Sequence, residues 1–592
     1  MTRPDQTSYD SSFFHTSYRG KKVLVLVPHQ DDELNVAANS IYNFAHSGAE
    51  VFVAYATNGD YEYKVKDDTR LHESINALSV LGVDKAHIFC LGYGDTINNS
   101  LEGHIFYSDD VPVKSPHGVI ETYGYPELDD FAYFLRKQHS PYTKNNYLRD
   151  LQDLVLYVHA DIILAVDFDN HPDHRMLSLS FETVMGRILS RPDNDYRPEV
   201  FKGFAYAVGG WSSVKDCFAD NLLESQKPEH SPRDKDVIDT SCYEWAKRVR
   251  IPIPEGARKP VLAGNILAEA LSKHDSQKAI SRADAIINSD EVFFSRRTDS
   301  LTFSAHVSAT SGNPDYAHDF KLVNVKDVDS FVTDWADYLW QPDNDDTEKQ
   351  LVFTWKNEQK ISRVVLWGNI DGTPIQRVRI TMDNGYAQEF GPLPEGGLPL
   401  VIDVPAQNQD GIHDLSVKIL DSGGADGGLA EVEAFSELEQ QGVIKPFIQV
   451  TCRENFAYCY LRKPEESRLP VNCYCYRTTE PVKYEVSGPA HLEGKNLVFD
   501  GNDDVILRAE SGELYCQSVF HTATTQELDA LHAVQKKEDK KLRSIYFWFM
   551  LKARIISYER RFRERGLMFT LKYGIGKLAA KLRRKITGDD SI

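Results

Sequence analysis

The sequence predicts an α/β, Rossmann-like parallel sheet over its first half, then a β-sandwich, a smaller β unit and a basic helical tail. Three patterns carry this. From about residue 20 to 300, short apolar runs alternate with stretches of helical period, the order that builds a parallel sheet with helices on both faces. After about residue 300 the period drops to two, with turn residues between short strands. Beyond Thr525 the chain becomes helical and strongly basic. At 592 residues it is too long for one core, and two to four domains are expected.

Taken in order, Val23-Leu24-Val25-Leu26-Val27 reads as a buried strand and Leu34 to Phe44 as the helix after it. A strand at Val51 to Tyr55, a helix at Leu71 to Leu81 and a strand before Leu91-Gly92 follow. A helix from Tyr147 to His159 leads to a strand ending at Val166, and another strand spans Phe201 to Val208. The interval from Gly94 to Tyr142, rich in Gly, Pro, Tyr and acidic residues, breaks the rhythm. Such inserts are usually binding loops or lids, and a surface loop without fixed structure is the other reading. Period-two strands at Gln350 to Trp355, Ile361 to Trp367, Val378 to Met382, Leu400 to Val404 and Leu415 to Leu420 read as a sandwich. Val482 to Val486 and Asp504 to Ala509 belong to a second all-β stretch. The expected division is 1–300, 303–437, 443–522 and 525–592.

The chemistry concentrates in Pro28-His29-Gln30-Asp31-Asp32-Glu33, directly behind the first apolar strand. Open α/β sheets place their ligands at the carboxyl ends of their strands. His29 and Asp32, three residues apart, can be aimed by one turn at a single divalent metal. A third ligand is offered by His174, in His171-Pro172-Asp173-His174, again just behind an apolar run, Ile162 to Val166. Two imidazoles and one carboxylate leave a fourth position for water, the arrangement of catalytic zinc, although this donor set suits several divalent metals. Asp31, beside a ligand but not spent as one, is the natural general base for that water. His171 is placed to stabilise an oxyanion and to protonate a leaving amine. Alone, the first motif reads as an acidic helix start and the second as a proline turn. Together, each behind a strand of one sheet, they read as a metal-dependent amide hydrolase.

These motifs, with ATNGD at 56–60, Arg70-x-x-Glu73 before Ala77 and Leu81-Gly82, Leu91-Gly-Tyr-Gly-Asp95, DNHPDH at 169–174, His274-x-Ser276-Gln277 and Glu291-Val-Phe-Phe294, resemble the PIG-L/LmbE-like family. The resemblance spans about 20–300. It implies a zinc-dependent N-deacetylase of N-acetylglucosamine-containing conjugates, with His29, Asp32 and His174 on Zn2+, Asp31 as base and His171 as electrophilic acid. It also puts Arg70 and Asp95 near the sugar, where a structural ion pair is the competing reading. Gln30 stands where the family usually has proline, which would pre-set the turn; glutamine keeps every ligand and adds a possible hydrogen bond. Residues 303–437, through Ala309-Thr310-Ser311, Trp335-Ala336-Asp337, Leu351 to Trp355, Ile361 to Val365 and Gly428 to Phe435, resemble the discoidin, or factor 5/8 C-type, galactose-binding-like jelly roll. That implies a carbohydrate module or a packing domain, and Trp335 and Trp340 are either sugar platforms or core. Residues 443–522 look immunoglobulin-like.

Composition narrows the partners. With 67 Lys and Arg against 88 Asp and Glu, the net charge is −21, which argues against nucleic acid. Between Lys536 and Lys585 there are 17 Lys or Arg and 4 Asp or Glu, so this stretch carries +13 and the remainder −34. An apolar strip there (Ile545, Phe549, Leu551, Ile555 and Ile556, then Leu578, Leu582 and Ile586) fits an anionic membrane surface, or else folding back on the acidic body or on a partner. No apolar run is long enough to span a bilayer and no signal-peptide pattern opens the chain. Eight cysteines without a zinc spacing fit a reducing compartment. The expectation is therefore a cytoplasmic enzyme, peripheral at the inner membrane face, that removes acetyl from an N-acetylated amino sugar of a glycan or glycolipid precursor. The alternatives are a carbohydrate-binding scaffold with a degenerate enzyme domain, and a deacetylase of a small soluble metabolite.

Overall fold

A seven-stranded sheet forms the first half of the molecule in a computed structural model that describes residues 9–60, 66–95, 108–115, 117–167, 171–205, 219–225, 243–287, 290–322, 339–370, 373–425, 427–453, 455–552 and 554–555. In chain order its parts are β1 (Asp10–Ser11), β2 (Lys22–Val27), α1 (Asp32–His46), β3 (Glu50–Thr57), α2 (Thr69–Val80), β4 (Ile88–Tyr93), α3 (Phe131–Arg136), α4 (Lys144–Val158), β5 (Ile162–Val166), α5 (Pro172–Leu189), β6 (Glu199–Gly203), β7 (Val249–Ile251), α6 (Ile266–Lys273), α7 (Ala283–Ile287) and β8 (Glu291–Arg296). The short β1 lies outside this sheet, whose order is β4-β3-β2-β5-β6-β8-β7. β4 to β6 are parallel throughout, while β8 and β7 add in antiparallel fashion at one edge. The sheet is therefore mixed rather than wholly parallel, because only parallel neighbours need a crossover helix and an edge can take a strand in either direction.

The apolar runs are fully buried, as strands covered on both faces must be; Val23 to Val27 are 0% exposed. Right-handed crossovers decide which helix goes where. From β2 the chain steps outward to β3 and β4, then returns across the sheet to β5 and β6, so α1 and α2 cover one face and α4 and α5 the other. The packing partners divide accordingly, α2 with α6 and α4 with α5. Strand order reverses between β2 and β5, and the crevice at their carboxyl ends is the topological switch point where such sheets bind ligands. Of the irregular insert, residues 117–142 fold back onto this end of the sheet: Tyr123 Oη donates to Asp60 (2.9 Å) and Tyr125 Oη to the Asn58 carbonyl (2.9 Å). Residues 96–107, and the part of the Phe201–Val208 strand beyond 205, lie outside the described residues.

A two-sheet sandwich follows, with β9 (His306–Ala309), β10 (Gln350–Gln359), β11 (Arg363–Gly368), β12 (Arg377–Met382), β13 (Ala387–Phe390), β14 (Leu400–Asp403), β15 (Ile412–Asp421) and β16 (Leu429–Phe435). Its sheets, β13-β12-β15-β10-β9 and β14-β11-β16, are antiparallel and enclose a core of their own. Trp340 is a core residue, 0% exposed, with its indole N–H donated to the Ser311 carbonyl at 2.9 Å. Trp335 lies outside the described residues.

The third unit comprises β17 (Phe447–Cys452), β18 (Asn455–Phe456), β19 (Cys459–Arg462), β20 (Arg468–Tyr476), β21 (Lys483–Ser487), β22 (Ala490–Glu493), β23 (Asn496–Phe499), β24 (Val505–Ser511) and β25 (Leu514–Thr522). One sheet runs β18-β17-β20-β23-β22; the other runs β1-β25-β24-β21, with β19 parallel to β25. The strand β1 thus joins the far end of the chain, and Tyr9 and Phe13 pack there against Tyr458 and Phe447. One apolar core runs without a break through the α/β unit and this third unit. Residues 525–552 form a helix, while the tail beyond 555 lies outside the described residues. No helix among the described residues is long and apolar enough to cross a membrane.

Candidate metal and catalytic site

The site grows from two strand ends. Where β2 stops, the chain turns through Pro28 to Asp31 into α1, with the Asp32 N–H donated to the His29 carbonyl. Asp31 makes the turn at φ 124°, a region that favours glycine and that a side-chain-bearing residue occupies at a cost of about 1–3 kcal/mol. The surroundings hold it there. Its N–H donates to Glu33 Oε2 at 2.8 Å, and Glu33 Oε1 is paired with Nε2 of His274 at 2.8 Å, both side chains fully buried. Where β5 stops, His171 caps α5: its Nδ1 accepts the N–H of Asp173 at 3.2 Å, and Pro172 occupies the first helical position. The proline-turn reading of this motif is therefore correct as local structure, and the turn is what delivers His174 to the site.

The two ends meet. Asp32 Oδ2 stands 2.9 Å from Nδ1 of His29 and 3.2 Å from Nε2 of His174, while its other oxygen is held by Asn35 at 3.1 Å. Donor atoms at these separations suit a shared small ion, because ligands about 2.0–2.2 Å from zinc lie a little over 3 Å apart. One nitrogen from each of His29, His171 and His174 also falls within a 4.8 Å cluster, as do His29, Asp95 and Asp173. His171 is thus close enough to be a further donor, a position the sequence spacing had not assigned to it. Nε2 of His29 lies 3.0 Å from Asp173, the carboxylate–histidine contact that orients a metal-bound imidazole. The residues present therefore fit a divalent metal.

Charge follows from this crowding. Burial opposes a charged His29, but Asp95, Asp173 and Asp32 outweigh it and hold its pKa well above the ordinary imidazole value. Burial likewise opposes charge on Asp32, yet His174 and His29 keep its carboxyl well below the usual range. His171 moves the other way: burial, then His29 and His174, push its pKa well down. A neutral ring whose Nδ1 accepts a backbone N–H carries its proton on Nε2, the form that donates a hydrogen bond to an oxyanion.

Asp31, 4% exposed, is gripped from both sides. Arg70 Nη2 reaches Oδ1 at 3.1 Å and Arg282 Nη2 reaches Oδ2 at 2.8 Å. Arg70 also donates to the Gln30 carbonyl at 2.7 Å and stands 4.0 Å from Asp95, whose Oδ1 accepts the Gly59 N–H at 2.9 Å. Arg70 and Asp95 are therefore brought to the site, as parts of the frame around Asp31. Gln30 is buried, with its amide N–H donated to the Thr57 carbonyl at 3.1 Å, so the hydrogen bond that glutamine made possible is formed. Gly59, at φ 63°, leaves room for it; a Cβ there would press into the glutamine amide.

Sequence reasoning missed Asp173, Arg282 and the Glu33–His274 pair. Asp173 lay inside a motif already singled out, and its carboxylate was the available signal. Arg282 had none, since it lies 251 residues from its partner, on a segment tethered by Ser276, whose N–H and Oγ both donate to Glu73 at 2.6 Å.

Residues 24–185 match the model of the family described as PIG-L: GlcNAc-PI de-N-acetylase. No curated protein matches the chain. Among solved structures the chain is similar to the N,N'-diacetylchitobiose deacetylase from Pyrococcus horikoshii, at 15% identity and a TM-score of 0.28, over 47% of this chain and 84% of that one. It is similar to a deacetylase of the teicoplanin biosynthetic pathway, at 12% identity and a TM-score of 0.26, over 47% and 98%. It is also similar to a family 32 carbohydrate-binding module of NanJ from C. perfringens in complex with galactose, at 16% identity and a TM-score of 0.17, over 22% and 92%.

Proposed function

Residues 24–185 form a PIG-L domain, and from that premise we propose that the protein is a metal-dependent N-deacetylase acting on an N-acetylated amino sugar of a glycan or glycolipid precursor. The observation that carries this is the convergence of His29, Asp32 and His174, with Asp31 and His171 beside them, at the switch point between β2 and β5.

His29, Asp32 and His174 would hold the metal, and zinc is the ion we assign. Such an ion supplies an acidified water and polarises the acetyl carbonyl. The remaining work falls to the chain. Asp31 accepts the proton of the attacking water. His171, its Nδ1 engaged by the Asp173 N–H, turns an Nε2–H to the developing oxyanion. The proton that Asp31 takes from the water reaches the amine as the C–N bond breaks, releasing acetate and a free amine. Arg70 and Arg282 keep the Asp31 carboxylate turned to the reaction. We place the enzyme in the cytoplasm, at the inner membrane face.

Replacement of His174 tests this reading. His174→Ala should lose both bound metal, by elemental analysis, and acetate release from N-acetylhexosamine conjugates. A metal-free His174→Ala protein that remained active would refute the site.

A further inference from the structure

We infer that the end of the helix over 525–552, together with residues 554–555, is a bilayer-docking element, which lays an apolar stripe into the interface of an anionic membrane. The two halves of this helix are treated differently by the rest of the chain. Its first half is fastened to the body: Gln535 donates to the Pro260 carbonyl at 3.2 Å, Glu538 accepts the Leu262 N–H at 2.8 Å, His532 pairs with Asp220 at 2.6 Å, and Leu542 is buried. The next turns run Ile545-Tyr546-Phe547-Trp548-Phe549-Met550-Leu551 without a charge. There Phe547 is 60% exposed, Trp548 63% and Ile555 52%.

Helical spacing sorts these residues. Phe547, Trp548, Leu551 and Ile555 recur at the i, i+4 and i+7 intervals of one stripe, on the side opposite Leu542. Lys541 and Lys552 border this stripe along one edge, and Arg554 and Arg543, the latter paired with Asp539 at 2.8 Å, along the other. An apolar stripe with cations on both margins suits a helix lying in the interface plane, with rings at the acyl boundary and flanking cations on lipid phosphates. The alternative occupant is an acidic protein surface. This molecule carries one, with −34 outside residues 536–585, yet the described body leaves Phe547 and Trp548 exposed. Complementary charge alone does not cover the stripe, whereas a bilayer offers both anions and hydrocarbon. The same stretch from Lys536 to Lys585 carries +13, which draws it to an anionic leaflet.

Sedimentation of the full chain with vesicles tests this inference independently of any activity. The wild type should sediment with phosphatidylglycerol-containing vesicles, at least tenfold more than with phosphatidylcholine alone, and the binding should weaken as salt is raised. The double variant Phe547→Glu/Trp548→Glu should lose this binding while keeping its thermal transition, because both side chains face outward. Lys552→Ala/Arg554→Ala should weaken the binding partially. Equal sedimentation of wild type and Phe547→Glu/Trp548→Glu would overturn the inference. So would absence of vesicle binding together with a wild-type dimer that the double variant abolishes, since the stripe would then cover a second copy.

Discussion

Asp31 carries the heaviest demands of any single residue in the site. It adopts a backbone angle that suits glycine, yet needs a carboxylate, and two arginines reach its oxygens from segments far apart in the chain. Asp31→Asn preserves the hydrogen-bonding shape but removes the proposed base. It should bind metal at the wild-type level while turnover falls on the order of 10²–10⁴-fold, measured by metal content and acetate release. Arg282→Gln frees one oxygen of the base without touching the ligands. It should lower kcat roughly 10- to 100-fold with little change in KM or metal content, and Arg282→Lys should recover part of the loss. Both motifs behind β2 and β5 were legible in the sequence, because a turn compresses each into a few consecutive residues. Arg282 and the pairing of Glu33 with His274 were not, because their partners lie 251 and 241 residues away and no local spacing encodes them.

At the scale of elements, the buried parallel strands and the helices between them were readable, since a strand covered on both faces is a continuous apolar run. The antiparallel edge formed by β7 and β8 was not, because edge direction leaves no mark on periodicity. A buried ion pair ties down this edge. Arg250 of β7 pairs with Asp290, which also accepts the Ser225 N–H at 2.7 Å, and the guanidinium stacks 4.0 Å from the Phe456 ring of β18. Burial would raise the Asp290 pKa, but Arg250 and the Ser225 donors outweigh it and lower it from the ordinary 3.8. A carboxyl with a depressed folded pKa contributes stability that is present at neutral pH and is lost as pH falls through that folded value. Asp290→Asn should therefore destabilise by about 1–3 kcal/mol at pH 7, the cost of weakening a buried charge-assisted hydrogen bond while Glu224, 3.7 Å away, still faces Arg250. The gap between variant and wild type should narrow below about pH 4, as followed by denaturant unfolding across pH. A gap independent of pH would show that the charge is immaterial.

Across the whole molecule, the α/β unit is not a free-standing half. Its apolar core continues into the third unit, which itself borrows β1 from the beginning of the chain. A two-residue strand that pairs across some 500 residues carries no sequence signature, so this closure could only be seen in three dimensions. A fragment ending at residue 300 should accordingly fail to give a soluble protein with a cooperative thermal transition, although it contains every proposed catalytic residue. A well-folded fragment with the wild-type transition would contradict the shared core. We propose that two strand ends hold a metal and a base for amide hydrolysis. Acetate release and metal content, measured together on purified wild type and Asp31→Asn, test it most directly. About one divalent metal per chain is expected in both proteins, with acetate released from N-acetylhexosamine conjugates by the wild type alone; equal turnover in the two proteins, or a wild type that hydrolyses these conjugates without bound metal, would contradict the proposed site.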